Sequence, residues 1–197
     1  MQNNPRYPSE AFLTMDANIF PTAELKEHYN WLKANQHDGF VKGQCGELTY
    51  VPDKEGNVSL VWQPDLKNKL TPCGFKMKKH ENTTGCIQIW EHPKTVGGNE
   101  VPYGLYIAGT DPYDQDQATN TTSLGSTFIY KTFHTKEGIY EWPVAEYTAR
   151  PDKATDHHEI VRKLLLYYNA RDLYENERNS IKMHFDHKGS LYLLAKT

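Results

Sequence analysis

Residues 156–169, DHHEIVRKLLLYYN, carry the strongest helical pattern in the chain, and strand-like runs stand on both sides of it. Ile160, Val161, Leu164, Leu165 and Tyr168 fall on one apolar stripe. Asp156 and Glu159 stand in the D-x-x-E order of a capping box, which predicts a helix start at Asp156. Upstream, YGLYIAGT (103–110) is a nearly continuous apolar run, as expected for the middle of a sheet. STFIYKTF (126–133) and GIYEWPVAEYTA (138–149) are strand-like and joined as a hairpin by HTKEG. Downstream, RDLYENERN (171–179) reads as a short strand running into acids. A helix that connects two strands of one sheet normally makes them parallel, with a right-handed crossover. The pattern therefore predicts a three-strand antiparallel meander, a crossover helix, and a fourth strand that lies parallel to the first on its free edge.

That order describes an α/β domain with a ribonuclease H-like mixed sheet, reached from topology alone. The rest of the chain is less constrained. Residues up to Pro21 are rich in Pro and Asn and read as an extended lead-in. TAELKEHYNWLKANQ (22–36) predicts a helix with Thr22 as N-cap and Leu25, Tyr29 and Leu32 at helical spacing. Residues 39–64 read as short strands around the turn DKEGN, and CIQIWEHP (86–93) as an alternating strand. SIKMHFDHKG (180–189) predicts a brief helix with Ser180 as N-cap and Gly189 at C′, followed by a strand in SLYLLAKT. The expected organisation is a linker segment and helix over 1–38, a small β-rich extension over 39–85 and the α/β core over 86–197.

Bulk properties narrow the function classes. The net charge is −3, so no global field attracts nucleic acid and any such contact needs a local patch. DLKNKLTPCGFKMKKH (65–80) supplies Lys67, Lys69, Lys76, Lys78 and Lys79, which read either as a solvated loop or as phosphate contacts. No apolar run reaches the roughly 18–20 residues of a membrane span, and the first residues lack a signal-peptide core. A cytoplasmic chain with no membrane partner is expected. Cys45, Cys73 and Cys86 are odd in number and form no C-x-x-C pair, so reduced thiols are expected rather than a zinc site.

The acids carry the chemistry. Asp111 ends the first core strand and Glu175 ends the fourth. Neighbouring strands lie about 4.8 Å apart, and two carboxylates that close repel unless a cation lies between them. Such oxygen ligands suit Mg²⁺ or Mn²⁺. Two ions about 3.5–4 Å apart can activate water and stabilise the leaving oxygen of a phosphodiester. The competing reading of each acid is a turn residue or a helix cap. Asp114 and Asp116 read as outer-sphere groups or as an ordinary polar loop, and Glu177 as a supporting acid. Glu146 lies on the third strand, facing solvent. His184, Asp186 and His187 in HFDH read as a solvated helix face or, alternatively, as metal ligands.

The chain resembles the C-terminal nuclease domain of the large terminase subunit of tailed bacteriophages. The likeness is carried by RYPSEAFLTMDANIFP (6–21), IQIWEHP (87–93), GLYIAGTDPYDQDQA (104–118) and LYENERN (173–179), in that order. The first is similar to the segment linking motor and nuclease, the third to the first catalytic strand, and the fourth to the second acidic motif. The resemblance implies a metal-dependent endonuclease that cuts concatemeric double-stranded viral DNA by a two-metal mechanism. It makes Asp111 the first ligand and Glu175 the second, with Mg²⁺ or Mn²⁺ as cofactor. It also implies the phage portal, the small terminase subunit and the ATPase motor as partners, in the cytoplasm of a bacterial host. Two departures from the family are expected. No G-x-x-x-x-G-K-[ST] occurs, so the chain reads as a fragment without ATPase activity. The family's third metal-binding acid lies beyond the second motif, and Asp186 is a possible substitute out of the family's position. Two alternatives accompany the nuclease: a DNA-binding or docking fragment with impaired cleavage, and another ribonuclease H-like nuclease such as a resolvase.

Overall fold

Ala154–Tyr168 (α2) crosses from one side of the sheet to the other and sets its topology. The computed structural model describes residues 21–35, 42–73, 83–97, 100–113, 123–132, 134–135, 138–139, 142–175 and 179–195. The chain divides into two units, Met1–Lys42 and Gly43–Thr197. The first contains the helix Thr22–Ala34 (α1), which buries none of its residues. Leu25 and Tyr29 of the expected stripe are about half exposed. Thr22 is not the N-cap: Pro21 holds that position with φ −72°, and Thr22 becomes the first helical residue.

In the second unit the strands are Gln44–Pro52 (β1), Val58–Pro64 (β2), Ile87–Ile89 (β3), Tyr106–Asp111 (β4), Gly125–Lys131 (β5), His134–Thr135 (β6), Gly138–Ile139 (β7), Trp142–Ala149 (β8) and Arg171–Tyr174 (β9). Seven of them form one mixed sheet in the order β2-β1-β3-β8-β5-β4-β9, and β6 and β7 pair separately. β4, β5 and β8 are the antiparallel meander. β9 returns parallel to β4, with Ile107 opposite Arg171 and Thr110 opposite Tyr174. β4–β9 is the one parallel pair in the sheet; β1, β2 and β3 continue the same sheet antiparallel from β8.

The α2 stripe closes one face of the sheet. Val161, Leu164, Leu165 and Tyr168 are fully buried against Tyr106, Ile129, Val144 and Ala145. The rings of Tyr106 and Tyr168 meet edge to face at 5.1 Å. Each such side chain contributes roughly 1.5–3 kcal/mol of burial. Ser180–His187 (α3) adds Ile181 and Phe185 to this core. α2 starts two residues before the expected cap, with Lys153 extended at the N-cap position and no side-chain cap. Glu159 is drawn instead into an ion pair, described below. Asn169 ends the helix in the left-handed conformation (φ 48°), and its side chain donates to the Val101 carbonyl at 2.9 Å. That turn delivers the chain into β9 within two residues.

The C-terminal strand expected in SLYLLAKT is a 3₁₀ turn, Leu191–Leu193. A single parallel bridge from Asp172 to Leu194 and a 2.7 Å bond from the Ala195 N–H to the Asp172 carbonyl lay it along β9. α3 spans the expected residues, but Asn179 rather than Ser180 occupies its N-cap, because the Ser180 hydroxyl bonds His158 Nε2 at 2.9 Å. Gly189 takes the C′ position with φ +61°. The three cysteines are free thiols, and burial pushes the Cys86 thiol well up from its ordinary value, with Cys45 and Cys73 close by. No helix among the described residues is long and apolar enough to cross a membrane.

At Gly125 the sheet approaches α2 so closely that an added Cβ would clash with His157 Nε2. His157 is fully buried between Tyr113 and Tyr147 and has no room to retreat. Gly125→Ala should therefore lower stability by about 1–3 kcal/mol, as overpacking does. Gly109→Ala, with nothing within 4 Å of the new Cβ, should leave it nearly unchanged. Urea unfolding midpoints of the two variants test this.

Candidate functional site

Asp111 is the last residue of β4, and Glu175 directly follows β9. The parallel register pairs Thr110 with Tyr174, and the Glu175 N–H donates to the Thr110 carbonyl at 2.9 Å. The two acids are therefore the next residues of two adjacent strands. Alternation decides which face they occupy. In β4, Tyr106, Ala108 and Thr110 are buried, while Ile107 and Asp111 are exposed. In β9, Asp172 and Tyr174 are buried, while Arg171 and Leu173 are exposed. Asp111 and Glu175 both continue the exposed series, on the face that α2 leaves open.

The acidic end of that face extends across the meander. Ser126 stands opposite Asp111, and Thr148 opposite Ser126. The hydroxyls of Ser126 and Thr148 are 2.7 Å apart, and Thr148 donates to Glu146 Oε1 at 2.6 Å. Since the Thr148 proton is spent on Glu146, Ser126 donates to Thr148. Glu146 thus occupies this open face and orients two hydroxyls. The segment after Asp111 is anchored inward: Tyr113 is buried, its hydroxyl donates to the Pro151 carbonyl, and the Arg150 guanidinium lies 4.5 Å over its ring.

The opposite face holds a polar group that the sequence reading did not single out. Asp172 is fully buried. Thr110 donates to its Oδ1 at 2.9 Å and lies 3.0 Å from the Thr127 hydroxyl, while Asp172 Oδ2 has no hydrogen-bond partner among the described residues. Burial pushes the Asp172 carboxyl up to about 7, against the lowering effect of the Thr110 bond. The signal for it was the alternation of RDLY. Arg171 and Leu173 share one face, so Asp172 shares the other with Tyr174.

Glu159 sits in a second charged group. Arg162 forks onto its two oxygens at 2.9 and 2.7 Å, His184 Nε2 lies 2.9 Å from Oε2, and Arg162 also donates to the Tyr50 hydroxyl at 2.6 Å. Burial alone would raise the Glu159 carboxyl, but the bonds from Arg162 and His184 hold it down at about 2. His184 is thus neither a solvated residue nor part of a metal cluster with its sequence neighbours. It ties α3 to α2.

The other predicted residues divide by location. Asp186 is exposed on α3, beside a surface hollow of about 260 Å³ that it lines with Asn179, Lys182, Met183 and Leu191. Lys67 and Lys69 are exposed in a turn organised by Asp65, whose carboxylate accepts from the Lys67 and Leu70 N–H groups. Lys76, Lys78, Lys79, Asp114, Asp116 and Glu177 lie outside the described residues. Among the described residues no three His, Cys, Asp or Glu side chains gather closely enough to hold a metal ion by themselves. Comparison with family models, with curated proteins and with solved structures finds no match for this chain.

The buried carboxyl gives a test of the inner face. Its folded-state value lies above the ordinary 3.8, so the folded state holds the proton more tightly than the unfolded chain. Stability should therefore fall as pH rises from about 4 to about 7, by at most about 4 kcal/mol. Asp172→Asn, which keeps the acceptor for Thr110, should flatten that dependence. Urea midpoints measured across this range for both proteins check it.

Proposed function

We propose that the chain is a metal-dependent endonuclease of the ribonuclease H-like class, acting on viral double-stranded DNA during genome packaging. The observation that carries this reading is the parallel pairing of β4 with β9, which sets Asp111 and Glu175 at adjacent strand ends on one open face. The topology of meander, crossover helix and parallel fourth strand is compatible with that fold. The donor set also fits the expected cofactor. Two carboxylates at adjacent strand ends are hard oxygen ligands, suited to Mg²⁺ or Mn²⁺ and not to zinc.

Asp111 and Glu175 are the residues that would hold the cation, with Ser126 and its partners Thr148 and Glu146 bordering the site. When bound, the cation supplies Lewis-acid activation of water and charge stabilisation on the phosphodiester. The chain's own contribution is placement. The hydrogen bond from Glu175 to Thr110 fixes the spacing of the two strand ends, and the Tyr113 anchor fixes the exit of the chain after Asp111. Lys67 and Lys69 would contribute phosphate contacts that carry no sequence information. The portal, the small terminase subunit and an ATPase motor as partners, and the bacterial host cytoplasm as location, rest on the family resemblance.

A plasmid-nicking assay with Mg²⁺ or Mn²⁺ tests the reading. The parent should relax supercoiled plasmid only when metal is added. Asp111→Ala and Glu175→Ala should each reduce the rate by about 100-fold or more, beyond the 10- to 100-fold typical of a supporting residue. Equal cutting by parent and variants would move the site elsewhere.

A further inference from the structure

The open face is not uniformly polar. Beyond the acidic row it becomes apolar and aromatic. Phe128, Gly109 and Leu173 stand in one cross-strand row, which ends at Glu146 beside Phe128 on β8, and Tyr130, Ile107 and Arg171 stand in the next. Leu173 is 66 % exposed, Ile107 47 % and Tyr130 38 %. Ile107, Gly109 and Leu173 lie on the strands that bear the two acids, with Phe128 and Tyr130 on the neighbouring β5, and α2 and α3 pack on the other face.

Three features indicate what would lie there. First, the rings of Phe128 and Tyr130 are 6.3 Å apart and tilted by 40° to one another. That is too wide for bases stacked as in a duplex, about 3.4 Å per step. It suits separated bases, each laid on its own ring. Second, Gly109 leaves a gap between Phe128 and Leu173, where nothing lies within 4 Å of the position a Cβ would take. A chain can therefore approach the backbone of β4 immediately before Asp111. Third, a cation stands at the end away from the acids. The Arg171 guanidinium, in the same row as Ile107 and Tyr130, lies 5.8 Å from the exposed Tyr103 ring at the aromatic end. Phosphates are drawn to Arg171, and the acids at the other end tolerate a phosphate only through a bridging cation.

We propose that this face binds an unpaired stretch of nucleic acid, with bases stacked on Phe128 and Tyr130 and the backbone led past Gly109 to the Asp111–Glu175 pair. The proposal rests on the nuclease reading and specifies its substrate: a single strand, or a strand opened from the duplex near the cut, rather than an intact duplex laid across the sheet. Stacking makes the recognition tolerant of sequence, because every base has a face to offer.

Fluorescence anisotropy with a short labelled oligothymidylate, and with a duplex of the same length, tests it in buffers containing Ca²⁺. The single strand should bind more tightly than the duplex. Tyr130→Ala should weaken single-strand binding about fivefold or more, the usual scale of one lost base–aromatic stack. Tyr130→Trp should restore it, which a merely structural role would not produce, and thermal unfolding of both variants should match the parent. Arg171→Ala should reduce the salt dependence of binding. Equal affinity for both probes with no effect of Tyr130→Ala would overturn the proposal, and the face would then be free to cover a polypeptide partner instead. The two readings fail separately. Nicking that depends on Asp111 while Tyr130→Ala binds like the parent removes the platform and keeps the nuclease. A Tyr130-dependent preference for single strands without metal-dependent cutting keeps the platform and removes the nuclease.

Discussion

The pairing of β4 with β9 is the constraint on which the rest of the structure depends. Strands of a meander need only tight turns, but a parallel neighbour for β4 requires a long connection. α2 is that connection, and its length and apolar stripe are set by having to cross the sheet and pack on it. Once β9 lies beside β4, the hydrogen bond between Glu175 and Thr110 ties together two strand ends that are far apart in sequence. The division of the sheet into a closed face and an open one follows from the same crossover, because α2 and α3 both pack on one side. The acids and the aromatic rows then share the side that remains.

The closed face shows how much polar chemistry this fold buries. Asp172, Thr110 and Thr127 form a small network against the helix, and His157 fills the space that Gly125 leaves. An ionised carboxylate there, with one oxygen unpartnered, would cost several kcal/mol, so the group holds its proton instead. Thr110 is the hinge between the two faces. Its side chain serves Asp172 on the closed side, while its carbonyl positions Glu175, whose side chain faces the open side.

Local patterns made a large part of this legible. The period-2 runs at 126–133 and 138–149, the stripe of Ile160, Val161, Leu164, Leu165 and Tyr168, and the acid after each flanking strand led to the meander, the crossover and the register-adjacent pair. Most of the misread features involve partners that the local pattern does not specify. Glu159 has capping-box spacing but pairs with Arg162 and His184, because α3 arrives beside it. Thr22 yields the cap to Pro21. The apolar run at the C-terminus reads as a strand, but only one bridge to β9 forms and the backbone turns into a 3₁₀ helix. Leu173 is exposed while its neighbour Asp172 is buried, because the phase of β9 is set by its pairing with β4 and not by its own composition.

By itself the sequence determined most of the helical and strand segments, since these follow from periodicities that span only a few residues. It also determined that Asp111 and Glu175 would end strands joined by a helix. Only the tertiary structure decided which way those strands face, and with it which of Asp172 and Glu175 is sealed in the core and which meets solvent. Alternation assigns residues to two faces but leaves both faces equivalent until a helix covers one of them. The same covering step left Phe128, Tyr130, Ile107 and Leu173 in the open beside the acids.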